Sequence, residues 1–439
     1  MKHLLVLTVF VASLAMASTP KFEKTKLFVK LNTNEVMPKH ELITNVKHLF
    51  ADNYLVTTTN SEKLSTELAN DLSVKLTEKS YYAGKRALPK ASENKGGDFD
   101  FDIFSAFNDP KIGKIWSFRD AGKNGVSVNK SYLSPLGRTK AQVIVAVVDT
   151  GVDYNHEDLK NVMWKNTAEI AGNNIDDDGN GYIDDIFGIN PLVKDSNGNA
   201  TGDPKASHAH GTHVAGTIAA EQNNNVGIAG IASNAIIMAI RTVPDTSDET
   251  DADVVESFLY AAEHGAKLIN CSFGKSHNEG GMIVNETIDH IGQNHGVLVL
   301  AAAGNDYGRN IDSRLTYPAS FASDYLLVVA STSKGGGLSF FSNIGPKSVD
   351  LAAPGSDVYS TVPGNRYQNM SGTSMATPTT VGVAAEVLSH FPGLTPLQLK
   401  KVLMDSVTPV KKFSGKMVTG GRVDLFNSLQ FTLENYSKL

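Results

Sequence analysis

Three residues in this chain have the types and surroundings needed for nucleophilic acyl transfer: Asp149 in VVDTG, His210 in HAHGTHVAGT and Ser374 in SGTSMATP. A serine hydroxyl is a weak nucleophile at its own pKa. An imidazole must take its proton as attack begins, and a carboxylate must hold that imidazole in the tautomer that leaves the accepting nitrogen bare. The order along the chain is Asp, His, Ser. Order separates three unrelated designs, because α/β-hydrolases run Ser, Asp, His and chymotrypsin-like enzymes run His, Asp, Ser.

The elements that must carry these groups can be read around them. Asp149 ends the apolar run QVIVAVVD, and Thr150-Gly151 then turns the chain, so the carboxylate is delivered at a strand terminus. Standing alone it would be an ordinary turn aspartate. His210 precedes the helix-like run HVAGTIAAE, which places its imidazole at a helix start. His210 and His213 share a helical face, yet zinc catalysis asks for HExxH or further matched ligands, so His213 is expected to be a packed histidine. Ser374 opens MATPTTVGVAAEVLSHF, a helix in which Pro378 is tolerated near the first turn. A helix start leaves backbone N–H groups unpaired, so the amide of Ser374 is available to an oxyanion. From Gln142 onward, apolar runs such as AIIMAIR, KLINCSF, GVLVLAAAG and YLLVVAST interleave with helix-like stretches such as DVVESFLYAAEHG. That pattern predicts an α/β fold with a parallel sheet covered on both faces, whose ligands gather at the carboxyl ends of the strands.

Beyond the three catalytic phrases, INCSFG at 269–274, AAAGN at 301–305, TYPASF at 316–321, DLAAPG at 350–355 and GGRVDLFNSL at 420–429 occur in order. Together these phrases resemble the subtilisin family, the subtilases, over roughly residues 110 to 430. The resemblance implies a subtilisin-like three-layer fold with a mostly parallel sheet. It implies catalysis by Asp149, His210 and Ser374, with Asn305 and the Ser374 amide forming the oxyanion hole. It also implies substrate binding along Ser272, Phe273 and Gly274, with the P1 side chain held between that strand and Ala302, Ala303 and Gly304. Thr316 matches the position at the base of that pocket. A threonine leaves less depth there than glycine, and no acidic residue at these positions selects a basic P1. The expectation is broad specificity with an apolar, medium-sized P1.

The ends and the composition bound the rest. The chain has 439 residues, 41% hydrophobic and 20% charged, which is ordinary globular composition with room for a large core and a small extra domain. A net charge of −6 offers no broad basic field, which argues against nucleic acid as a partner. Residues 1–17 read as an export signal: Lys2 and His3, an apolar run from Leu4 to Leu14, and a small-x-small Ala15-Met16-Ala17 site. The apolar run is shorter than the ~20 residues of a spanning helix. Secretion, to the medium or a periplasm, is therefore expected. The single cysteine, Cys271, can form no intramolecular disulfide, and its place in AKLINCSF suits a buried, inert thiol.

Residues 18–82 alternate strand-like and helix-like pieces at 26–31, 40–50, 53–58, 61–71 and 73–82. Placed before a subtilase, this small α+β domain resembles the family's propeptide, which assists folding and inhibits the enzyme intramolecularly. Residues 83–105 lack periodicity and read as a linker with the maturation site, 106–430 as the peptidase domain, and 431–439 as a short tail. The mature chain is expected to be monomeric, with protein or peptide substrates and no membrane partner.

Calcium is the expected cofactor. The run DDDGNGYIDD sets Asp176, Asp178, Asn180 and Asp184 at positions 1, 3, 5 and 9 of an EF-hand-like loop, with Gly181 at position 6. Position 12 is Phe187, so the bidentate ligand must come from Asp185 or elsewhere. A solvated Asx-rich turn is the alternative. Family resemblance adds Asp158 in HEDL and Asn224 in NNVGIAG as a second calcium site, in a loop one residue longer than the family pattern. The whole reads as a secreted zymogen of a serine endopeptidase. A catalytically silent subtilase-fold protein acting as a calcium-dependent binding module is the alternative, and the intact Asp149, His210, Asn305 and Ser374 count against it.

Overall fold

The computed structural model describes residues 21–82, 91–92, 106–138, 141–196, 198–245, 249–275 and 282–439. The expected signal segment and all of the linker except Ala91–Ser92 lie outside the described residues.

The N-terminal unit contains β1 (Phe22–Leu31), β2 (Ile43–Phe50), β3 (Asn53–Thr58), α1 (Ser61–Leu68) and β4 (Val74–Tyr81). Its four strands form one antiparallel sheet in the order β2-β3-β1-β4. The piece at 40–50, which sequence alternation assigns to a helix, is strand β2. The hairpin to β3 turns through Ala51, whose φ of 45° suits a tight turn, and pairing with β3 outweighs helix propensity. Alternation along β1 sends Leu27, Val29 and Leu31 to α1, where they pack with Leu64 and Leu68. Phe28, on the opposite face, joins the core of the larger unit instead. Asn60 caps α1 by accepting from the Lys63 N–H at 3.0 Å.

Beyond β5 (Ala91–Ser92), the larger unit runs through α2 (Val128–Leu133), β6 (Val143–Asp149), β7 (Gly188–Lys194), β8 (Ala200–Thr201), α3 (Ala209–Ala219), β9 (Ala235–Arg241), α4 (Asp251–Glu263), β10 (Leu268–Cys271), α5 (Ile283–His295) and β11 (Leu298–Ala302). There follow β12 (Leu326–Thr332), β13 (Leu351–Pro354), β14 (Val358–Val362), β15 (Arg366–Met370), α6 (Thr373–His390), α7 (Pro396–Asp405), β16 (Thr408–Pro409), β17 (Gly421–Arg422) and α8 (Leu425–Asn435). Ten of these strands form one sheet in the order β16-β17-β13-β12-β11-β10-β6-β9-β7-β8. The central pairs from β13 through β9 are all parallel. This is the expected three-layer α/β fold.

Both faces of that sheet are apolar because both are covered. Val145 and Val147 of β6 face the layer of α3 and α6, with Val214, Ile218 and Val383. Ala146 and Val148 face the layer of α4 and α5, with Val255, Phe258 and Ile288. Cys271 is fully buried at the end of β10. No helix among the described residues is long and apolar enough to cross a membrane.

The two units meet at α4 and α5. Ser80 Oγ accepts from the Ala252 N–H at 3.2 Å, and Glu78 accepts from the Met282 and Ile283 N–H groups at 2.8 and 3.1 Å. Both helix N-termini, which lack intrahelical acceptors for their first N–H groups, are thus completed by β4. Lys30 pairs with Glu286 at 2.7 Å and Lys47 with Glu256 at 3.1 Å across the same interface.

Candidate active site

Asp149 is the last residue of β6, and α3 begins beside it. A Cβ on Gly211 would lie 2.2 Å from the Gly151 carbonyl oxygen and 3.2 Å from Asp149 Cβ, so only glycine lets α3 approach this strand end. Gly211 N–H donates to Thr150 Oγ1 at 3.0 Å and fixes the approach. In consequence His210 Nδ1–H donates to Asp149 Oδ1 at 2.6 Å, with both side chains 1% exposed. Asp149 Oδ1 also accepts from the Thr150 N–H at 2.7 Å. With Nδ1 carrying the proton, Nε2 is the bare nitrogen, and it is buried without a hydrogen-bond partner.

Ser374 is the second residue of α6 and 6% exposed. Its Oγ donates to the Ser272 carbonyl at 3.1 Å, while Ser272 Oγ donates to the Ser374 carbonyl at 3.1 Å. The structure therefore does not place the hydroxyl on His210 Nε2. It docks α6 against the segment after β10 and leaves the hydroxyl on the Ser272 carbonyl.

Asn305 lies three residues past β11. Its Oδ1 accepts from the Thr373 N–H at 2.9 Å and from Thr373 Oγ1 at 3.0 Å. With the carbonyl end pinned, the Nδ2 hydrogens form the open donor end of the amide. Thr373 Oγ1 accepts in turn from the Gly304 N–H at 3.2 Å. Thr373 thus sets both the asparagine and the glycine beside it. The sequence reading passed over this residue, although it stands next to Ser374 in SGTSM.

The expected substrate segments converge here. Ser272, Phe273, Ala302 and Ala303 are buried, and Gly304 adopts φ of 99°, where a Cβ would lie 2.5 Å from Asn343 Nδ2. A Cβ on Gly274 would lie 2.8 Å from the Tyr317 carbonyl oxygen and 3.5 Å from Thr316 Cγ2, so Gly274 and Thr316 face each other closely. Lys275 and Tyr317 seal this end by exchanging backbone N–H bonds at 2.8 and 2.7 Å. Thr316 is buried with its hydroxyl unpartnered.

Two further histidines flank the site. His213 Nε2–H donates to the Val358 and Gln368 carbonyls at 2.9 and 3.2 Å, and burial holds its pKa down at about 3. It is a packed ring whose Nε2 is committed to backbone carbonyls. His208, which sequence reading missed, caps α3 by accepting the His210 N–H at 3.1 Å. Burial, and then the neighbouring His210, push its pKa down.

The expected metal residues are brought together only in part. Glu169, Asp178 and Asp185 place carboxylate oxygens within 4.8 Å of one another. Asp185 is fully buried and accepts from Asn166 at 2.8 Å, from Asn180 at 3.0 Å and from the Tyr260 hydroxyl at 2.6 Å. Asp176 and Asp184 lie outside this cluster. Asp176 accepts from the Gly179, Asn180 and Gly181 N–H groups, and Asp184 from those of Gly172 and Asn174, so both carboxylates close local turns. The EF-hand register predicts neither this division nor Glu169, which enters from outside the loop. At the second candidate, Asp158 accepts from Asn224 Nδ2 at 2.9 Å and from the Ile228 N–H at 2.8 Å, and burial raises its pKa to about 7. Asp109, unmarked by any motif, accepts from the Asn223 and Asn224 N–H groups of the same loop.

Comparison with known proteins adds the following. The model of the subtilase family, peptidase S8, matches residues 140–423. The subtilisin-like protease 1 of Plasmodium berghei (strain Anka) is 33% identical over 306 residues, which cover 65% of this chain and 49% of that protein. The halolysin-like extracellular serine protease Nep of Natrialba magadii is 36% identical over 268 residues, covering 61% of this chain and 44% of its own. This chain thus spans about half the length of the curated relatives it matches. Among solved structures, a protease of Pseudoalteromonas arctica PAMC 21717 aligns with a TM-score of 0.60 at 24% identity, over 74% of this chain and 99% of that one, a likeness of fold.

Proposed function

Because the chain belongs to the subtilase family, we propose that it is an exported serine endopeptidase, made as a zymogen, which hydrolyses peptide bonds through Asp149, His210 and Ser374. The observation that carries this reading is the buried 2.6 Å bond from His210 Nδ1 to Asp149 Oδ1 at the end of β6, which leaves Nε2 bare. Ser374 Oγ swings from the Ser272 carbonyl to Nε2, loses its proton there as it attacks, and forms an acyl-enzyme. The imidazolium returns that proton to the leaving amine, and water repeats the sequence on the ester. Asn305 Nδ2 and the Ser374 amide hold the oxyanion. Activity requires the neutral imidazole and is lost in acid.

The small residues 302–304 and the Gly274–Thr316 contact support an apolar, medium-sized P1. Residues 18–82 act as the intramolecular inhibitor. Glu169, Asp178 and Asp185 form an all-oxygen donor set suited to calcium, which would neutralise their clustered charge and tie the loop to α4 through Tyr260. Its role is structural, and no catalytic step uses it.

The test is expression of the precursor beside its Ser374→Ala form, followed by intact mass and casein hydrolysis. The wild type is expected to shorten within residues 83–105 and gain activity, while the variant stays full length after Ala17. If both keep the same length and neither cleaves casein, the calcium-dependent binding module takes the place of this reading.

A further inference from the structure

His210 is held from two sides. Asp149 fixes its ring through Nδ1, and a second imidazole fixes the backbone that carries it. His208 is the N-cap residue of α3, with φ of −92° and ψ of 150°, and its Nδ1 accepts the His210 N–H at 3.1 Å. That N–H lies in the first turn, where the helix itself supplies no acceptor. A hydroxyl or amide oxygen, the usual acceptor at an N-cap, serves at every pH. An imidazole accepts only through a bare nitrogen, so this cap exists only while the ring is neutral.

With Nδ1 accepting, the ring hydrogen sits on Nε2, and a further proton can enter only at Nδ1. That proton would set two donors against each other, Nδ1–H and the His210 N–H. It would also place a positive charge at the positive end of the α3 dipole. The two rings stand 6.5 Å apart, centre to centre. In the proposed reaction His210 becomes an imidazolium as it takes the Ser374 proton, and a charged His208 at that distance opposes it. Among the described residues, the charged and titratable groups that act on the half-buried His208 ring are His210 of α3, Asp149 at the end of β6 and Asp245, four residues past β9. Burial, and then His210, push its pKa below the ordinary histidine value, while Asp149 and Asp245 pull the other way. Both carboxylates are already engaged, Asp149 by His210 and the Thr150 N–H, and Asp245 by Ser207 Oγ and by Arg241 at 3.4 Å. The ring is therefore neutral at neutral pH and gains its charge in acid.

We propose that His208 is a positioning residue for the base, holding the His210 N–H only while its own ring is neutral, so that acid acts on the reaction through two imidazoles. The inference rests on the peptidase reading above and deepens it. A proton on His210 removes the base directly. A proton on His208 releases the start of the helix that carries the base and opposes the charge that the base must take up. His208 touches neither substrate nor the reacting atoms, and it acts through the backbone and the field at His210.

Two measurements test this, and one of them needs no catalysis. In the first, kcat/KM on a peptidyl p-nitroanilide is followed from pH 5 to pH 9 for the wild type, His208→Asn and His208→Ala. Asparagine caps with an oxygen that does not titrate, and alanine removes the cap. On the acid side the wild-type log(kcat/KM) is expected to fall more steeply than one decade per pH unit, and that of His208→Asn by one decade. At pH 5 the asparagine variant should therefore keep about three- to tenfold more of its own pH 8 rate than the wild type keeps. At pH 8 His208→Ala is expected to lose about three- to tenfold in kcat, and His208→Asn to recover most of that loss. In the second, Tm of the Ser374→Ala precursor is compared with that of the same protein carrying His208→Asn. A histidine whose pKa is lowered on folding contributes stability that is present above its ordinary value of 6.5 and lost as pH falls toward the folded value. The Tm difference in favour of asparagine is thus expected to widen by about 1–3 °C between pH 8 and pH 5, and titrations common to both proteins cancel. Equal acid slopes in the wild type and His208→Asn, or a wild-type kcat for His208→Ala at pH 8, overturn the positioning role. A Tm difference that is constant with pH overturns the titrating cap. If no form hydrolyses the anilide, the peptidase reading itself fails, while the Tm comparison still decides the cap.

Discussion

In the proposed reading, Thr373 governs a reaction that it does not touch. Its hydroxyl lies between the Gly304 N–H and Asn305 Oδ1, and its own N–H holds the same oxygen. The carbonyl end of the asparagine is thereby fixed and the donor end turned outward, as an oxyanion donor must be before the charge develops. Thr373→Val keeps the shape and the backbone N–H but removes the hydroxyl. Losing one such hydrogen bond is worth about 1 kcal/mol, so kcat is expected to fall about three- to tenfold with KM nearly unchanged. Asn305→Ala removes the donor itself, and the loss known for that donor in subtilisin, about 10²–10³-fold in kcat, sets the upper scale. Steady-state kinetics on a p-nitroanilide separates the two, and a Thr373→Val enzyme with wild-type kcat would show that the backbone bond alone positions Asn305. His208 acts at the same scale, because its ring caps α3 two residues before His210 and replaces the hydroxyl or carboxylate usually found at such a position.

At the scale of elements, the informative fact is that α4 and α5 begin against another unit's side chains. Glu78 supplies acceptors to the first N–H groups of α5, and burial raises its pKa to about 7, against which those N–H bonds pull only in part. A carboxyl whose pKa is raised on docking takes up a proton as it docks. Docking is then strongest below the ordinary glutamate range, weakens as pH rises from about 4.5, and levels off above about 7. Separately expressed N-terminal unit is therefore expected to inhibit the peptidase more tightly at pH 5.5 than at pH 8, by about one order of magnitude. Glu78→Gln, which is neutral throughout, should flatten that dependence. Inhibition constants measured with the anilide at both values check it, and tighter inhibition at pH 8 would reverse the assignment. The same interface explains why Phe28 and Phe50 join the core of the larger unit, with Phe50 stacked on His290 of α5 at 4.6 Å.

For the whole molecule, stability must come from packing and from clustered charge held in check, since the lone Cys271 can make no disulfide within the chain. Glu169, Asp178 and Asp185 form the one group of three acidic, histidine or cysteine residues with ligand-like spacing among the described residues. If calcium holds them together, chelation of the Ser374→Ala protein is expected to lower Tm by about 5 °C or more, with calcium restoring it. Asp185→Asn should abolish the response in scanning calorimetry, and a Tm indifferent to chelator would remove the metal from this site.

The chain by itself determined the fold class, because near-continuous apolar runs alternating with helical ones can bury both faces only as a covered parallel sheet. It also determined the family and the phrases that carry Asp149, His210, Asn305 and Ser374, since short-range context fixes which element ends at each residue. The tertiary structure alone decided how these residues meet. Thr373 as the clamp on Asn305 and Ala91–Ser92 lying on β15 pair residues far apart in sequence, and even within one loop Glu169 joins Asp178 and Asp185 while Asp176 and Asp184 turn away. No local spacing encodes such pairings. They depend on how the sheet order, the docking of the helices and the path of each loop bring side chains together, and a hydrogen bond is decided by those few ångströms.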